Sequence, residues 1–398
     1  MSLKPIVPLP RRQRTGKKKR KYWLKSIQKL SEKRIHIVSF DVPYPANYGG
    51  AIDVFYRIKA LKEIGFKITL HCYEYGRGQQ VELELLAEKI IYYRRKKNLI
   101  DWFSLKPFIV QTRRSKKLLK NLLKDDAPIL FEGLHTTYFL KHPKLENRKK
   151  LVRTHNIEHE YYFMLAEQTS GWRKWYYSSE AQRLKRYESN LKYADALLPI
   201  KEADLTHFSQ YSTEIHLLWP CFDQKELVAH PTKPYLLFHG NLSVSENIEA
   251  VKWICREIFD SLEAQFIVAG KDPDPSVIEL SEKGIFELKS NPNDSEMNEL
   301  VSNARVHLLY TNQSTGIKLK LINSLQTSGH VLVNPTMVRG TGLDRYCTVC
   351  QHHYEWKHEI TKALDQELNG VRFEMRKKLL ETKLSVVENC RIIEKILS

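Results

Sequence analysis

The chain has 398 residues, of which 42% are hydrophobic and 11% aromatic, and it carries a formal net charge of +18. This hydrophobic content excludes a disordered chain, and the length favours two domains over a single core. Since the sequence contains no apolar run of about 18 residues, we predict no membrane-spanning segment. Six scattered cysteines favour a reduced, cytoplasmic setting over a disulfide framework.

The positive charge is concentrated at the start of the chain. Residues 1–34 contain 13 Lys or Arg and one acidic residue, so the remaining 364 residues carry only +6. Such a leader can be a disordered, solvated tail, a nucleic-acid arm, or a patch that rests on anionic lipid with Tyr22 and Trp23 at the interface. We expect a solvated tail, with peripheral membrane contact as the second interpretation.

From residue 35 to residue 234, strand and helix patterns alternate. Predicted strands cover residues 35–40, 66–73, 129–132, 151–154, 196–200 and 214–219. Helical patterns cover residues 52–64 and a long aromatic stretch, 161–193. This alternation indicates a parallel sheet with helices on both faces.

A second alternating set follows the proline-marked segment 230–234. Predicted strands cover residues 235–239, 265–269, 285–288, 306–310, 331–333 and 347–349, and predicted helices cover 246–258, 294–304, 316–325 and 373–397. We therefore predict an α/β fold of two Rossmann-like, doubly wound domains that face each other across a cleft. The predicted limits are a leader 1–34, a first domain 35–205, a connection 206–234, a second domain 235–370 and terminal helices 371–398.

Ligands of such sheets bind where the strands end, which draws attention to three loops. Gly49 and Gly50 follow the first strand, where a lack of side chains lets a phosphate or sugar approach, although a plain loop fits equally well. His155 follows the strand 151–154. His155 and His159 together would need a third metal ligand, and no zinc signature surrounds them. Gly240 follows the first strand of the second domain.

The run from Ser314 to Leu325 has a glycine, two lysines and helix-spaced apolar residues, followed by a short β-branched strand. A helix start with unpaired N–H groups and lysine favours an anion such as a phosphate. An ordinary amphipathic helix after a turn is the alternative interpretation.

These pieces, in this order, resemble the group 1 (family 4-like) glycosyltransferases of the GT-B architecture. The resemblance rests on Phe40–Pro45 with Gly49-Gly50, on Arg153–Glu158, on Gly240–Asn247, on Val268–Lys271 and on Gly316–Leu321. It implies two Rossmann-like domains, a terminal helix that crosses back to the first domain, and transfer of a sugar from a nucleotide-diphosphate sugar to a glycan or lipid-linked acceptor in cell-surface polysaccharide or glycoconjugate synthesis.

The resemblance also implies roles for individual residues. His155 and Lys318 would be catalytic. The donor would be bound by Gly49, Gly50, Gly240, Asn241, Gly316, Ile317, Lys318 and Asn323. Arg153, Asn156 and Glu158 would lie on the acceptor side. The sequence departs from the family where Asn241 and Glu246-Asn247 replace the usual Arg and Lys, and where Thr315 and Asn323 replace paired glutamates.

The resemblance implies a hexosyltransferase that is retaining and needs neither a metal nor another cofactor. A GT-B nucleotide-sugar epimerase and a non-catalytic, basic nucleic-acid-binding protein are the alternatives. Because the folded part carries only +6, we expect no nucleic-acid partner. We expect a cytoplasmic protein that touches the inner membrane face through its leader. The aromatic residues Trp172, Trp175, Tyr176 and Tyr177 are interpreted as helix packing, and a binding platform for a lipid-linked or sugar acceptor is the alternative.

Overall fold

The computed structural model describes residues 33–98, 101, 104–259 and 264–398. The predictions for the leader therefore lie almost wholly outside the described residues. In the part of the chain that is described, no helix combines the length and the apolar character that a membrane span requires.

The first domain is built on a six-stranded parallel sheet in the order β3-β2-β1-β4-β5-β6. Its strands are β1 (Arg34–Ser39), β2 (Lys67–Glu74), β3 (Lys89–Arg94), β4 (Ile129–Glu132), β5 (Lys150–Thr154) and β6 (Ala196–Pro199). Its helices are α1 (Gly49–Glu63), α2 (Phe108–Gln111), α3 (Lys116–Leu122), α4 (Glu158–Glu167), α5 (Gly171–Tyr187) and α6 (Asp204–Phe208). The central strands are buried on both faces because helices cover both sides of the sheet.

The second domain repeats this arrangement in the order β12-β11-β10-β7-β8-β9. Its strands are β7 (Lys233–His239), β8 (Gln265–Gly270), β9 (Glu287–Ser290), β10 (Ala304–Leu309), β11 (His330–Val333) and β12 (Thr348–Val349). Its helices are α7 (Ser245–Glu257), α8 (Pro275–Glu282), α9 (Asp294–Asn303), α10 (Leu319–Leu325), α11 (Pro335–Val338) and α12 (His353–Asp365). The predicted fold class is confirmed, whereas the exact domain limits stay a prediction.

The two terminal helices, α13 (Gly370–Glu381) and α14 (Val386–Leu397), carry the chain back to the first domain. The side chain of Asn389 accepts a hydrogen bond from the backbone N–H of Trp219 at 3.1 Å. The thiol of Cys390 lies 3.9 Å from the carbonyl oxygen of Arg57 in α1. The crossing-back helix that the resemblance implied is therefore present.

Three predicted elements differ from the structure. The single helix over residues 161–193 is wrong, because Gly171 adopts a φ of +61° and separates α4 from α5. The segment 214–219, predicted as a strand, forms one isolated bridge, between Ile215 and Leu197, and is otherwise part of the connection to the second domain. The helix expected at Gly316 begins three residues later, at Leu319.

Candidate active site

The loops at the carboxyl ends of the two sheets meet across the cleft. Gly316 has a φ of +63°, and a Cβ at this position would lie 2.7 Å from Oδ1 of Asn156 and 3.6 Å from the carbonyl oxygen of His155. A Cβ at Gly49 would lie 3.9 Å from Cδ1 of Leu319. The structure thus brings together four of the predicted site residues, two loops from the first domain facing one from the second.

His155 is held by carboxylates beneath it. Its Nε2 lies 3.2 Å from Oδ2 of Asp53 and 3.5 Å from Oε2 of Glu132, and the side chain is 14% exposed. The ring of Phe40 meets it edge-on, with centroids 5.5 Å apart. With Nε2 directed at the two carboxylates, Nδ1 on the opposite side of the ring is left away from them. His155 therefore has one fixed orientation at the end of β5.

Asp53 is the centre of a buried ionic network. Its carboxylate contacts Arg57 at 2.5 Å and Arg153 at 3.2 Å, and it accepts a hydrogen bond from the N–H of Cys221 at 2.6 Å. Arg57 also lies 2.9 Å from Glu132. Burial by itself would raise the pKa of Asp53, but the two guanidinium groups hold it well below its usual range. Beneath His155, the negative charges of two carboxylates therefore offset the positive charges of two arginines.

Arg153 does not lie on the acceptor side as predicted. Its side chain is fully buried, and it donates to the carbonyl oxygens of Leu198 at 3.1 Å and Trp219 at 3.2 Å, and to that of Leu218. Arg153 is the second-last residue of β5, and its side chain points into the core. The residues that follow β5 are the ones that reach the cleft. Its visible role is to tie β5 to the interdomain connection.

Glu158 begins α4 and is buried beside His135, whose Nδ1 lies 4.0 Å from its Oε1. Burial raises the pKa of Glu158 to about 8, and the negative charge of Glu188 adds to the rise. Burial therefore favours the protonated, neutral form of this carboxyl group over the ionised form. The predicted place of Glu158 and Asn156 on the acceptor side stays a prediction.

In the second domain, Gly240 packs against Asn247, since a Cβ at Gly240 would lie 2.9 Å from Nδ2 of Asn247. The same amide donates to the carbonyl oxygen of Asn241 at 2.8 Å, and its Oδ1 accepts from Nζ of Lys320 at 2.8 Å. Burial lowers the pKa of Lys320 to about 8. The side chain of Asn241 is itself engaged, because its Oδ1 accepts from the N–H of Ser243 at 2.9 Å.

Lys318 occupies the position just before α10, not its first turn. Its Nζ donates to Oε1 of Gln313 at 3.0 Å and to the carbonyl oxygen of Thr315 at 3.3 Å, and it lies 3.5 Å from Oε1 of Glu246. Burial lowers the pKa of Lys318, and Glu246 acts against that change. The lysine is thus oriented toward the loop at the cleft.

The remaining predicted donor residues lie close to this loop. Gly50 packs against the ring of Phe40, since a Cβ there would lie 2.7 Å from its Cζ. Ile317 packs against the large core that both domains share. Asn323 is half-buried on α10. Their donor-binding roles stay predictions.

Sequence reasoning missed three residues of this region. Nζ of Lys201 donates to the carbonyl oxygen of Ser314 at 2.7 Å, a contact between the two domains. Glu246 pairs with Lys318, and Asp53 orients His155. Only Asp53 had a local signal, because a carboxylate four residues before Arg57 is a typical helical ion pair.

Among the described residues, two groups present metal-ligating atoms to a common point: Asp53 with Glu132 and His155, and His159 with Glu188 and His207. In the first group, arginines already supply the positive charge. In the second group, Glu188 accepts from both imidazoles, at 2.8 and 3.0 Å, and its hydrogen bond raises the pKa of His207. In both groups the potential ligand atoms already contact other protein side chains, and metal independence stays a prediction.

No protein-family model matches the chain. The chain is similar to an uncharacterised 44.6 kDa protein from the cps region of Klebsiella pneumoniae, with 24% identity over 333 residues that cover 78% of this chain and 84% of that protein.

Among solved structures, the chain is similar to WaaG, a glycosyltransferase involved in lipopolysaccharide biosynthesis, with a TM-score of 0.60, 12% identity and coverage of 92% of this chain and 99% of that one. It is also similar to a trehalose-6-phosphate protein from E. coli bound with UDP-2-fluoro glucose, with a TM-score of 0.59, 12% identity and coverage of 92% and 99%. The architecture is therefore the GT-B fold, as the resemblance implied.

Proposed function

We propose that this protein is a glycosyltransferase that moves a hexose from a nucleotide-diphosphate sugar to a glycan or lipid-linked acceptor. The observation that carries the proposal is the meeting of Gly316 and Leu319, which flank Lys318, with Gly49, His155 and Asn156 across the cleft. A glycine-lined, lysine-bearing loop of one domain then faces a fixed histidine of the other. Enclosure between two domains limits hydrolysis of the donor.

The second domain supplies positive charge for the leaving group. As the glycosidic bond to the donor breaks, negative charge builds on the departing diphosphate, and preorganised donors stabilise it. Lys318 and Lys320 are the candidate cations, and Gly240 and Gly316 permit close approach of the backbone. With this charge in the protein, we propose that the reaction needs no metal ion.

His155 is the candidate reaction-centre residue of the first domain. Its ring is anchored through Nε2 to Asp53, so its other nitrogen and its backbone carbonyl remain for the sugar and acceptor. We propose retention of anomeric configuration, in line with the resemblance. The absence of glutamates at Thr315 and Asn323 leaves hydrogen bonding of the donor ribose to amide and hydroxyl groups.

The relatives support the choice of substrates. One similar structure holds a UDP-sugar, one similar protein acts in lipopolysaccharide biosynthesis, and the Klebsiella relative belongs to a cps region. We therefore propose a UDP-sugar donor and an acceptor in cell-surface polysaccharide or glycoconjugate synthesis. We further propose a cytoplasmic enzyme whose acceptor domain is residues 35–205 and whose donor domain is residues 235–370.

Calorimetric titration with UDP, GDP and ADP tests the donor site. Lys318→Ala should weaken binding of the preferred diphosphate by about 1.5–3 kcal/mol, the range for a charged hydrogen bond, or roughly 10- to 150-fold. Lys283→Ala is the matched control, since Lys283 pairs with Glu279 on exposed α8. Equal affinity of the two variants would remove Lys318 from the proposed site.

Lys320 adds a proton-linked signature to the same titration. Its pKa lies near 8 in the free protein, and a bound diphosphate should raise it, because the anion stabilises the charged ammonium. At pH 8, binding should therefore take up a fraction of a proton. Titrations in two buffers with different ionisation enthalpies measure this uptake, and Lys320→Met should abolish it.

A further inference from the structure

Helix α5 exposes two tryptophans near its start. Trp172 is 66% exposed and Trp175 is 67% exposed, so the interpretation of these residues as helix packing is wrong for both. Trp172 and Trp175 are neighbours on the helix surface, and exposed apolar patches of this kind on a monomer often mark a binding surface. The indole ring is also the side chain that lies most often at the boundary between lipid and water.

The same helix is strongly basic. Its 17 residues include five basic side chains, Arg173, Lys174, Arg183, Lys185 and Arg186, all at least partly exposed. Its one acidic residue, Glu180, is buried and accepts a hydrogen bond from the N–H of Ile109 at 3.2 Å. The exposed surface of α5 therefore carries positive charge without negative charge.

Helical geometry places the tryptophans and part of this charge on one side. At about 100° per residue, Trp172, Trp175, Tyr176, Arg183 and Arg186 fall within a sector of roughly 100°. We name this set the α5 face. Aromatic groups occupy its first turns and arginines its last turns. The α5 face therefore combines indole rings with cations, the two kinds of side chain that favour the boundary between an anionic membrane and water.

One basic residue from outside the helix, Arg95, lies near the α5 face. Burial raises the pKa of Tyr176 to about 12 and the charge of Glu180 adds to the rise, whereas the charges of Arg183 and Arg95 oppose it, so Arg95 lies within electrostatic range of this face. Positive charge therefore extends past the helix itself.

The α5 face is also close to the candidate active site. Helix α4 starts directly after His155 and Asn156 and packs along α5, with the rings of Tyr162 and Tyr177 6.0 Å apart. Tyr161 on α4 lies within electrostatic range of Glu246 in the second domain. One layer of helix thus separates the cleft from the α5 face.

We propose that the α5 face docks on an anionic lipid bilayer, with the two indoles at the interface and the arginines on the lipid headgroups. Charge complementarity selects this occupant, since basic residues gain about 1 kcal/mol each near an anionic surface. If a second copy of the chain docked on this face through its own α5 face, arginines would lie against arginines and repel each other. The docked orientation would bring a lipid-linked acceptor to the cleft, which rests on the proposed function, whereas the docking itself does not.

Vesicle flotation of the full-length protein tests the docking. The vesicles are phosphatidylcholine alone or phosphatidylcholine with phosphatidylglycerol, and the binding is measured at low salt and at about 0.5 M salt, where the attraction of exposed charges is largely screened. The variant is Trp172→Ser with Trp175→Ser. The matched control is Tyr354→Ser with Val371→Ser, which removes side chains that are 60% exposed on α12 and 74% exposed on α13.

We expect the tryptophan variant to need about tenfold more anionic lipid for half-maximal binding, and to lose the binding that remains at high salt. Arg183→Gln with Arg186→Gln should reduce binding at low salt only. Unchanged flotation of both variants would overturn the proposal and leave the leader as the lipid contact. The proposal would also be overturned if these variants lost more of their binding to an RNA or DNA oligonucleotide than of their binding to vesicles. In both variants, the release of nucleoside diphosphate with a water-soluble acceptor should stay unchanged. This measurement distinguishes a failure of membrane docking from a failure of the proposed function.

Discussion

Asp53→Asn is a nearly isosteric substitution that should strongly lower the free energy of unfolding of this protein. The change keeps the shape of the side chain and removes one buried negative charge. That charge faces Arg57 at 2.5 Å, Arg153 at 3.2 Å and His155 at 3.2 Å. Both guanidinium groups are fully buried, so water cannot replace the lost partner.

The expected magnitude follows from the charge balance of the network. Asp53 and Glu132 neutralise Arg57 and Arg153, and the variant leaves two buried cations with one carboxylate. Breaking a buried ion pair in this way costs about 3–5 kcal/mol. A typical protein has a total stability of about 5–15 kcal/mol, so the variant should lose a large share of it.

Urea unfolding, followed by tryptophan fluorescence, measures the loss. Asp126→Asn is the control, because Asp126 is 94% exposed and lies 4.0 Å from Arg34, where a surface ion pair is worth at most about 1 kcal/mol. Asp53→Asn should shift the midpoint strongly and Asp126→Asn hardly at all. Indistinguishable midpoints would refute the assignment of Asp53 as the centre of a buried ionic network.

Three further predictions concern the site itself. His155→Ala should lower turnover by about 100-fold or more while the free energy of unfolding changes little, since Asp53 keeps both arginines; a variant that unfolds but keeps its activity per folded molecule would make His155 a core residue. Glu158 binds its proton more tightly when folded, with a pKa of about 8 against an ordinary 4.5, so its contribution to stability is full below about pH 4.5 and declines as the pH rises through 8. Glu158→Gln, which stays neutral, should therefore raise the melting temperature at pH 8.5 and not at pH 5, and an equal shift at both would contradict the buried, protonated carboxyl. Gly316→Ala should cost about 1–2 kcal/mol because of the positive φ, and it should also slow transfer because its Cβ would lie 2.7 Å from Oδ1 of Asn156. Adding Asn156→Ala should restore part of the transfer rate and none of the stability, which kinetics and denaturation measure separately.

The fold was largely predictable because each parallel strand is a short apolar run between turn signals. The runs 35–40 and 235–239 needed no tertiary information to be recognised as buried strands. The break between α4 and α5 was missed because Gly171 lies within a continuous helical pattern, and one glycine there is compatible with a helix. The start of α10 was predicted too early, because Gly316 was taken as the first residue of the helix. In the structure Gly316 lies in the loop, and Lys318 is the residue that immediately precedes the helix.

The site was predictable only where it follows the ends of strands. His155 directly follows β5 and Gly316 lies in the loop that follows β10, and their meeting across the cleft agrees with that rule. The orientation of each side chain was not predictable, because it depends on partners far away in the sequence. Arg153 precedes His155 by two residues but is drawn into the core by Asp53 and by carbonyl groups of the connection. The pairing of Lys318 with Glu246 likewise joins segments about 70 residues apart.

The central claim is tested most directly by following donor and acceptor together. The purified protein is incubated with its preferred nucleotide sugar, with and without a glycan or lipid-linked acceptor, and both products are analysed by mass spectrometry. We predict release of nucleoside diphosphate only when acceptor is present, with one hexose added to the acceptor for each diphosphate released. Conversion of the nucleotide sugar to an epimer without acceptor, or no turnover of any nucleotide sugar, would contradict sugar transfer.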